Sequence, residues 1–123
     1  MMTILVVDDD QRTRELVGEA LKPVGFNVLS AASAEEAAVL LNREVVHLII
    51  LDLLLPGKNG WVFAEELKFN ARTAAMPVLV ASILSPDDTG VQKQNSNVVG
   101  YILKPLDADD LTARVKAVFT RNR

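Results

Sequence analysis

A chain of 123 residues, half of them hydrophobic and a quarter charged, is long enough for one self-sufficient domain and too apolar for a disordered segment. Without cysteine it can carry neither a disulfide framework nor a thiolate metal site. Its net charge of -3 offers no overall attraction to nucleic acid or to an anionic membrane, so any DNA binding would have to belong to a partner.

Met1-Met2-Thr3 leads without a basic flank into Ile4-Leu5-Val6-Val7. That apolar run is too short for a signal-peptide core or a membrane span, so a cytoplasmic domain covering 1–123 is expected. The run reads as a buried strand and ends in Asp8, Asp9 and Asp10. From Gln11 the spacing becomes helical, with Leu16, Val17, Ala20 and Leu21 as the apolar stripe and Pro23-Val24-Gly25 as the stop. Phe26 to Ala31 reads as a second strand. Ser33 and Glu36 form a capping box, and Ala37, Ala38, Leu40 and Leu41 give the second helix its buried face as far as Asn42-Arg43-Glu44.

Leu48-Ile49-Ile50-Leu51 is a third strand, apolar on both faces as in a parallel sheet, and it ends at Asp52. Leu53-Leu54-Leu55 follows, Pro56-Gly57 forces a turn, and Asn59 or Gly60 opens a third helix to Phe69. Trp61, Phe63, Ala64 and Leu67 are its apolar positions. After a loop from Arg72 to Met76, Val78 to Ala81 forms a fourth strand with Ser82 at its end. Ser85-Pro86-Asp87-Asp88 reads as a loop, and Thr89 to Asn97 as a short helix of poor propensity. Val98 to Leu103 is a fifth strand ending at Lys104-Pro105. Asp107 caps a final helix that turns Leu111, Val115, Val118 and Phe119 inward and frays from Thr120 to Arg123.

Five alternations of strand and helix without a linker predict a doubly wound α/β domain with a five-stranded parallel sheet. Right-handed crossovers favour the flavodoxin-like order 2-1-3-4-5. Strands 1 and 3 are then neighbours, so Asp8, Asp9 and Asp52 converge at the carboxyl edge, where Ser82 and Lys104 also arrive. Carboxylates ~4 Å apart repel by about 4 kcal/mol per pair at an effective dielectric near 20. A divalent cation removes that conflict, and an open carboxylate site suits Mg²⁺, which keeps several waters and shares phosphate oxygens. A lysine and a hydroxyl opposite the metal complete a clamp for a phosphoryl group in transfer, for which aspartate is a known covalent acceptor. His47, at the far end of strand 3, takes no part.

Taken singly, each residue has a plainer explanation. An Asp run before a helix is a cap and dipole partner, Ser82 a local hydroxyl-to-backbone bond, and Lys104 a solvated charge. These explanations leave open why polar residues close strands 1, 3, 4 and 5 but not strand 2.

Ile4 to Asp10, Leu51-Asp52 with Pro56-Gly57 and Gly60, Pro77 to Ser82, and Tyr101-Ile102-Leu103-Lys104-Pro105 resemble the receiver domain of two-component response regulators over the whole chain. The resemblance implies Asp52 as phosphoacceptor from a phosphohistidine on a sensor histidine kinase or phosphotransfer protein. It implies Mg²⁺ held directly by Asp9 and Asp52, through water by Asp8, and by the carbonyl of Leu54. Ser82 and Lys104 would hold the phosphoryl oxygens, and Lys104-Pro105 would be a cis peptide. Tyr101 would swing inward when the Ser82 hydroxyl moves to the phosphate. The chain would be a switch that assists its own phosphorylation and dephosphorylation rather than an enzyme. Its output would go to a downstream protein or a fused effector domain.

Three departures stand out. Ile83 occupies a place where a small side chain usually leaves room for the phosphoryl group, and its bulk is expected to slow phosphorylation. Leu54 and Leu84 cannot orient an attacking water, so slow self-dephosphorylation is expected. The weak helix at Thr89 to Asn97 puts in question the usual output and dimer face, which combines it with strand 5 and the final helix. Asp110 and Arg114 match charges used there by dimerising regulators, whereas Val99-Gly100 replaces an acidic pair. The alternatives are a pseudo-receiver acting by constitutive contacts, and a phosphatase with an aspartyl nucleophile, which wants a second Asp where Leu54 stands. Flavin binding is disfavoured by the acidic loops.

Overall fold

Five apolar runs pair in parallel into one sheet of order β2-β1-β3-β4-β5. They are β1 (Thr3–Val7), β2 (Asn27–Ala31), β3 (Leu48–Leu51), β4 (Val78–Ser82) and β5 (Val98–Leu103). The computed structural model describes residues 1–84 and 97–121. The helices among them are α1 (Gln11–Leu21), α2 (Ala34–Arg43), α3 (Gly60–Lys68) and α4 (Ala108–Arg121), with a 3₁₀ turn over Lys22–Val24. None is long and apolar enough to cross a membrane.

Two apolar layers follow from the period-two alternation of the strands. Ile4 and Val6 of β1, with Leu48 and Ile50 of β3, face Val17 and Leu21 of α1 and Leu111, Val115 and Val118 of α4. Leu5, Val7, Ile49 and Leu51 face the opposite way, against Ala37 and Leu41 of α2 and Phe63, Ala64 and Leu67 of α3. All five residues of β1 and all four of β3 are buried, which is why both run without a polar interruption. Phe119 of α4 stays partly exposed and stacks on Phe26, with ring centroids 5.6 Å apart.

The boundaries agree with the sequence reading apart from local differences. The buried stripe of α2 is Ala34, Ala37 and Leu41, whereas Ala38, expected inside, is exposed. A stripe started at Ala34 continues three and seven residues on, and Ala38 falls on its rim. Trp61 is half-buried at the margin of the core. Instead of fraying at Thr120, α4 continues to Arg121, with the Thr120 hydroxyl donating to the Lys116 carbonyl at 2.9 Å. The loop expected at Ser85 to Asp88 and most of the weak helix at Thr89 to Asn97 lie outside the described residues.

Each of the four described helices begins at the carboxyl edge of the sheet under a side-chain cap. Asp10 accepts from the Arg12 amide (2.9 Å), Ser33 from Glu36 (3.1 Å), Asn59 from Val62 (2.8 Å) and Asp107 from Asp110 (2.8 Å). Such caps are worth ~1 kcal/mol each. Glu36 returns its carboxylate to the amide of Ala32 at 3.3 Å, one residue before the partner a capping box would use.

One glycine sets how closely α3 approaches that edge. The Gly60 amide donates to the Leu53 carbonyl at 3.0 Å, and a Cβ at Gly60 would stand 2.1 Å from the carbonyl oxygen of Asp52. Gly57, at φ +70°, supplies the left-handed turn that brings the chain back. We expect Gly60→Ala to lower the urea midpoint, with a loss of ~1–3 kcal/mol typical of overpacking. In contrast, at Gly18 an added Cβ meets nothing nearer than Lys22 Cε at 3.8 Å. Gly18→Ala should therefore raise the midpoint, by up to ~1 kcal/mol of helix propensity.

Candidate functional site

Asp8 follows β1 and Asp52 follows β3. Because Val7 and Leu51 are register partners, and the Asp52 amide donates to the Val7 carbonyl at 2.9 Å, the two carboxylates leave the sheet side by side. Both are buried, while Asp9, one residue further out, is exposed. One carboxylate oxygen from each of the three lies within 4.8 Å of the others. Lys104 enters from the end of β5, its amide donating to the Ser82 carbonyl at 2.9 Å. Its ammonium reaches across to Asp8 Oδ2 at 2.7 Å and Asp52 Oδ2 at 3.3 Å.

The carboxylates are also held by backbone amides. Asp8 Oδ1 accepts from the Asp10 amide at 2.9 Å and Asp52 Oδ1 from the Leu54 amide at 3.1 Å. Arg14, from the first turns of α1, donates Nη1 to the Asp8 carbonyl at 2.7 Å. Ser82 is wholly buried, and its Oγ accepts from the Leu84 amide at 3.2 Å. Tyr101 is buried as well, and its hydroxyl donates to the carbonyl of the same Leu84. Its own carbonyl accepts from Arg114 Nη1 at 3.3 Å, and Arg114 Nε is held by both Asp110 oxygens at 3.1 Å. The Lys104-Pro105 peptide is cis.

Of the residues singled out in the sequence, Asp8, Asp9, Asp52 and Lys104 come together at one point. Leu54 contributes its backbone to the same place and leaves its side chain half-exposed. Ser82 and Tyr101 are joined to each other through the backbone of Leu84. His47 lies at the opposite edge, where its Nδ1 accepts from the Thr3 amide at 2.9 Å and its amide donates to the Thr3 carbonyl at 2.8 Å. Sequence reasoning passed over Arg14 and the backbone of Leu84. A helix arginine six residues from its partner, and a backbone group, carry no signature in composition or spacing.

Burial pushes the Asp8 carboxyl above its ordinary pKa, and the Asp52 charge adds to the rise. The hydrogen bonds from Lys104 and the Asp10 amide oppose it without cancelling it. For Lys104 burial acts downward, but the hydrogen bond to Asp8 and the charges of Asp52 and Asp8 outweigh it, leaving the ammonium above its usual value. Both directions have one origin: a single lysine serves two buried carboxylates, which suffices for the lysine and not for Asp8. With Asp9 beside them, the three acids exceed the one ammonium by two charges when ionised. That deficit and an all-oxygen donor set fit a hard divalent cation.

Residues 4–116 match the model of the response regulator receiver domain. The chain belongs to that family. Receiver domains are signalling switches of two-component systems and bind Mg²⁺ at an acidic pocket; Asp8, Asp9 and Asp52 form an acidic cluster here. The chain is 36% identical over 120 residues to the phosphate regulon transcriptional regulatory protein PhoB of Pseudomonas aeruginosa, covering 97% of this chain and 52% of that protein. It is 33% identical over 121 residues to the DNA-binding dual master transcriptional regulator RpaA of Synechocystis, covering 98% and 50%. It thus spans about half the length of these curated relatives. Among solved structures, the chemotaxis response regulator CheY4 of Vibrio cholerae superposes with a TM-score of 0.89 at 25% identity, covering 96% of this chain and 98% of that one.

The raised Asp8 pKa gives a pH prediction for the receiver domain in chelator. A carboxyl raised by folding contributes stability that is whole below its unfolded pKa and is lost as pH rises through the folded one. Asp8→Asn should therefore melt higher than the parent at neutral pH, and the difference should close toward about pH 4, where the unfolded carboxyl takes up its proton. Paired thermal melts at the two pH values check this.

Proposed function

We propose that the chain is a phosphoacceptor switch in which Asp52 receives a phosphoryl group from the phosphohistidine of a sensor kinase or phosphotransfer protein. The observation that carries this reading is a buried Asp52 beside Asp8 and Asp9, with the Lys104 ammonium 3.3 Å from its carboxylate. An Asp52 oxygen attacks phosphorus, an O–P bond forms, and the P–N bond to the histidine ring breaks with its electron pair passing to the ring nitrogen. Lys104 is within reach of the incoming phosphoryl oxygens, and the Ser82 hydroxyl would leave the Leu84 amide to meet them.

Asp9 and Asp52 would hold Mg²⁺ directly, Asp8 through water, and the Leu54 carbonyl would complete the protein ligands. When bound, the cation offsets the mutual repulsion of the carboxylates and screens the phosphoryl charge. This chain's own part is to hold Asp52 through the Leu54 amide and to keep Lys104 at the acceptor.

The new charge, ~1.5 to 2 units at one point, biases the surface beyond β5. The backbone of Leu84 supports a route for it, since its amide donates to Ser82 and its carbonyl accepts from Tyr101. A Ser82 hydroxyl drawn to phosphate releases the Leu84 amide and frees that residue to shift the carbonyl that Tyr101 holds. We assign 1–123 to one receiver domain working in the cytoplasm, with a downstream protein or a fused effector domain reading the face of β5 and α4. A second copy could dock on the same face.

Incubation with Mg²⁺ and acetyl phosphate should add one phosphate to the intact mass. Asp52→Ala should gain none, and Lys104→Ala should gain it more slowly. Mg²⁺ should raise the melting temperature of the parent and do so less in Asp9→Ala. With Leu54 and Leu84 unable to orient water, the phosphoryl group should persist for minutes or longer once donor is removed; loss within seconds would refute this part of the reading.

A further inference from the structure

The Asp8 amide carries the ladder between β1 and β2 one step past the end of β1, donating to the Ala31 carbonyl at 3.1 Å. β2 stops at Ala31, and Ser33 already serves as the cap of α2. No strand amide is left for the Asp8 carbonyl, and Arg14 supplies the donor instead, its Nη1 standing 2.7 Å from that oxygen. A bond from a guanidinium is charge-assisted and stronger than one between neutral groups.

That oxygen belongs to the peptide between Asp8 and Asp9. Because a peptide is planar, holding its oxygen fixes the plane from which the Asp9 Cα departs. Among the described residues the bond from Arg14 is the only hydrogen bond this peptide makes, and the exposed Asp9 carboxylate has no hydrogen bond or ion pair of its own. The other two acids are served differently: the Asp10 amide and Lys104 hold the Asp8 carboxylate, and the Leu54 amide and Lys104 hold that of Asp52. The direction of Asp9 thus depends on its backbone, and that backbone on Arg14. Half-buried, Arg14 borders an open groove between α1 and β2 whose wall also carries Glu15, Glu19 and Lys22. It pairs with neither acid and forms no ion pair among the described residues, so an uncharged side chain in its place strands no buried partner.

We propose that Arg14 is a positioning residue for the metal site: by holding the Asp8–Asp9 peptide it aims the Asp9 carboxylate at a divalent cation shared with Asp52. The inference rests on the reading in which Asp9 and Asp52 hold Mg²⁺. An arginine that acted on the site through its charge alone would have the opposite effect. A positive charge near the carboxylates repels a cation, so removing it would tighten binding, whereas loss of a group that orients a ligand typically weakens metal binding ~10- to 100-fold.

The test is a calorimetric titration of the parent, Arg14→Met and Arg14→Lys with Mg²⁺, each below its metal-free melting temperature, beside the rate of acetyl phosphate labelling as a function of Mg²⁺ concentration. Arg14→Met, which keeps an apolar stem and no donor, should raise the Mg²⁺ dissociation constant by ~10-fold or more. Arg14→Lys, with its charge on a shorter stem and no planar fork, should raise it by a smaller factor. In the labelling assay the loss should fall more on the Mg²⁺ concentration for half-maximal rate than on the rate at saturating Mg²⁺; a merely structural role would show the reverse. A dissociation constant at or below the parent's in either variant, or a loss confined to the saturated rate, would overturn the proposal while leaving Mg²⁺ at Asp9 and Asp52. Failure of the parent to bind Mg²⁺ would remove that reading and this inference with it.

Discussion

One lysine shared between two buried carboxylates is the constraint to which the rest of the structure answers. Lys104 touches Asp8 at 2.7 Å and Asp52 at 3.3 Å, and losing the lysine would leave two buried carboxylates without a counter-charge, a change that typically costs ~3–5 kcal/mol. The sheet makes that sharing possible. The ladder between β1 and β3 brings the two acids together, and the bond from the Lys104 amide to the Ser82 carbonyl fixes where the lysine starts. A slip of one residue between β1 and β3 would send a carboxylate to the opposite face, and a slip between β4 and β5 would do the same to the lysine.

The site is held tightly from below and left open above. Asp8 and Asp52 are gripped by amides two residues on, and the bare backbone of Gly60 lets α3 close against the Asp52 carbonyl. On the outer side Asp9 is exposed, and the Leu54 side chain, next but one to Asp52, is half-exposed. Repulsion among the acids is tolerated because strands buried on both faces supply apolar stabilisation that does not depend on the site. Such an arrangement sacrifices local stability for a place where charge can be added, as functional sites commonly do.

Ser82, Leu84 and Tyr101 connect the site to the outer part of β5. Neither side chain touches the acids in the bonds described. Instead the backbone of one residue, Leu84, meets both, its amide donating to Ser82 and its carbonyl accepting from Tyr101. Arg114 adds a link from Tyr101 to Asp110 on α4. The site and the surface beyond it are thereby coupled through backbone, so the identity of the side chain at Leu84 matters less to that link than the position of its main-chain amide and carbonyl.

The alternation of apolar runs and helical stripes determined the strands, their parallel arrangement and the placing of Asp8, Asp9, Asp52, Ser82 and Lys104 at strand ends, because period and burial are written directly in residue order. The caps at Asp10, Ser33, Asn59 and Asp107 were legible for the same reason: each bond spans two or three residues. Ala38 was misplaced although the start of its helix was legible, because how wide a stripe of a helix is covered is set by what packs on it and not by its own spacing. Only the tertiary structure decided that Lys104 divides itself between Asp8 and Asp52, that Arg14 holds the Asp8 carbonyl, that Gly60 lies against Asp52, and that Leu84 joins Ser82 to Tyr101. Each of these depends on distances between segments far apart in the chain, or on backbone groups that every residue possesses, and no local pattern encodes either.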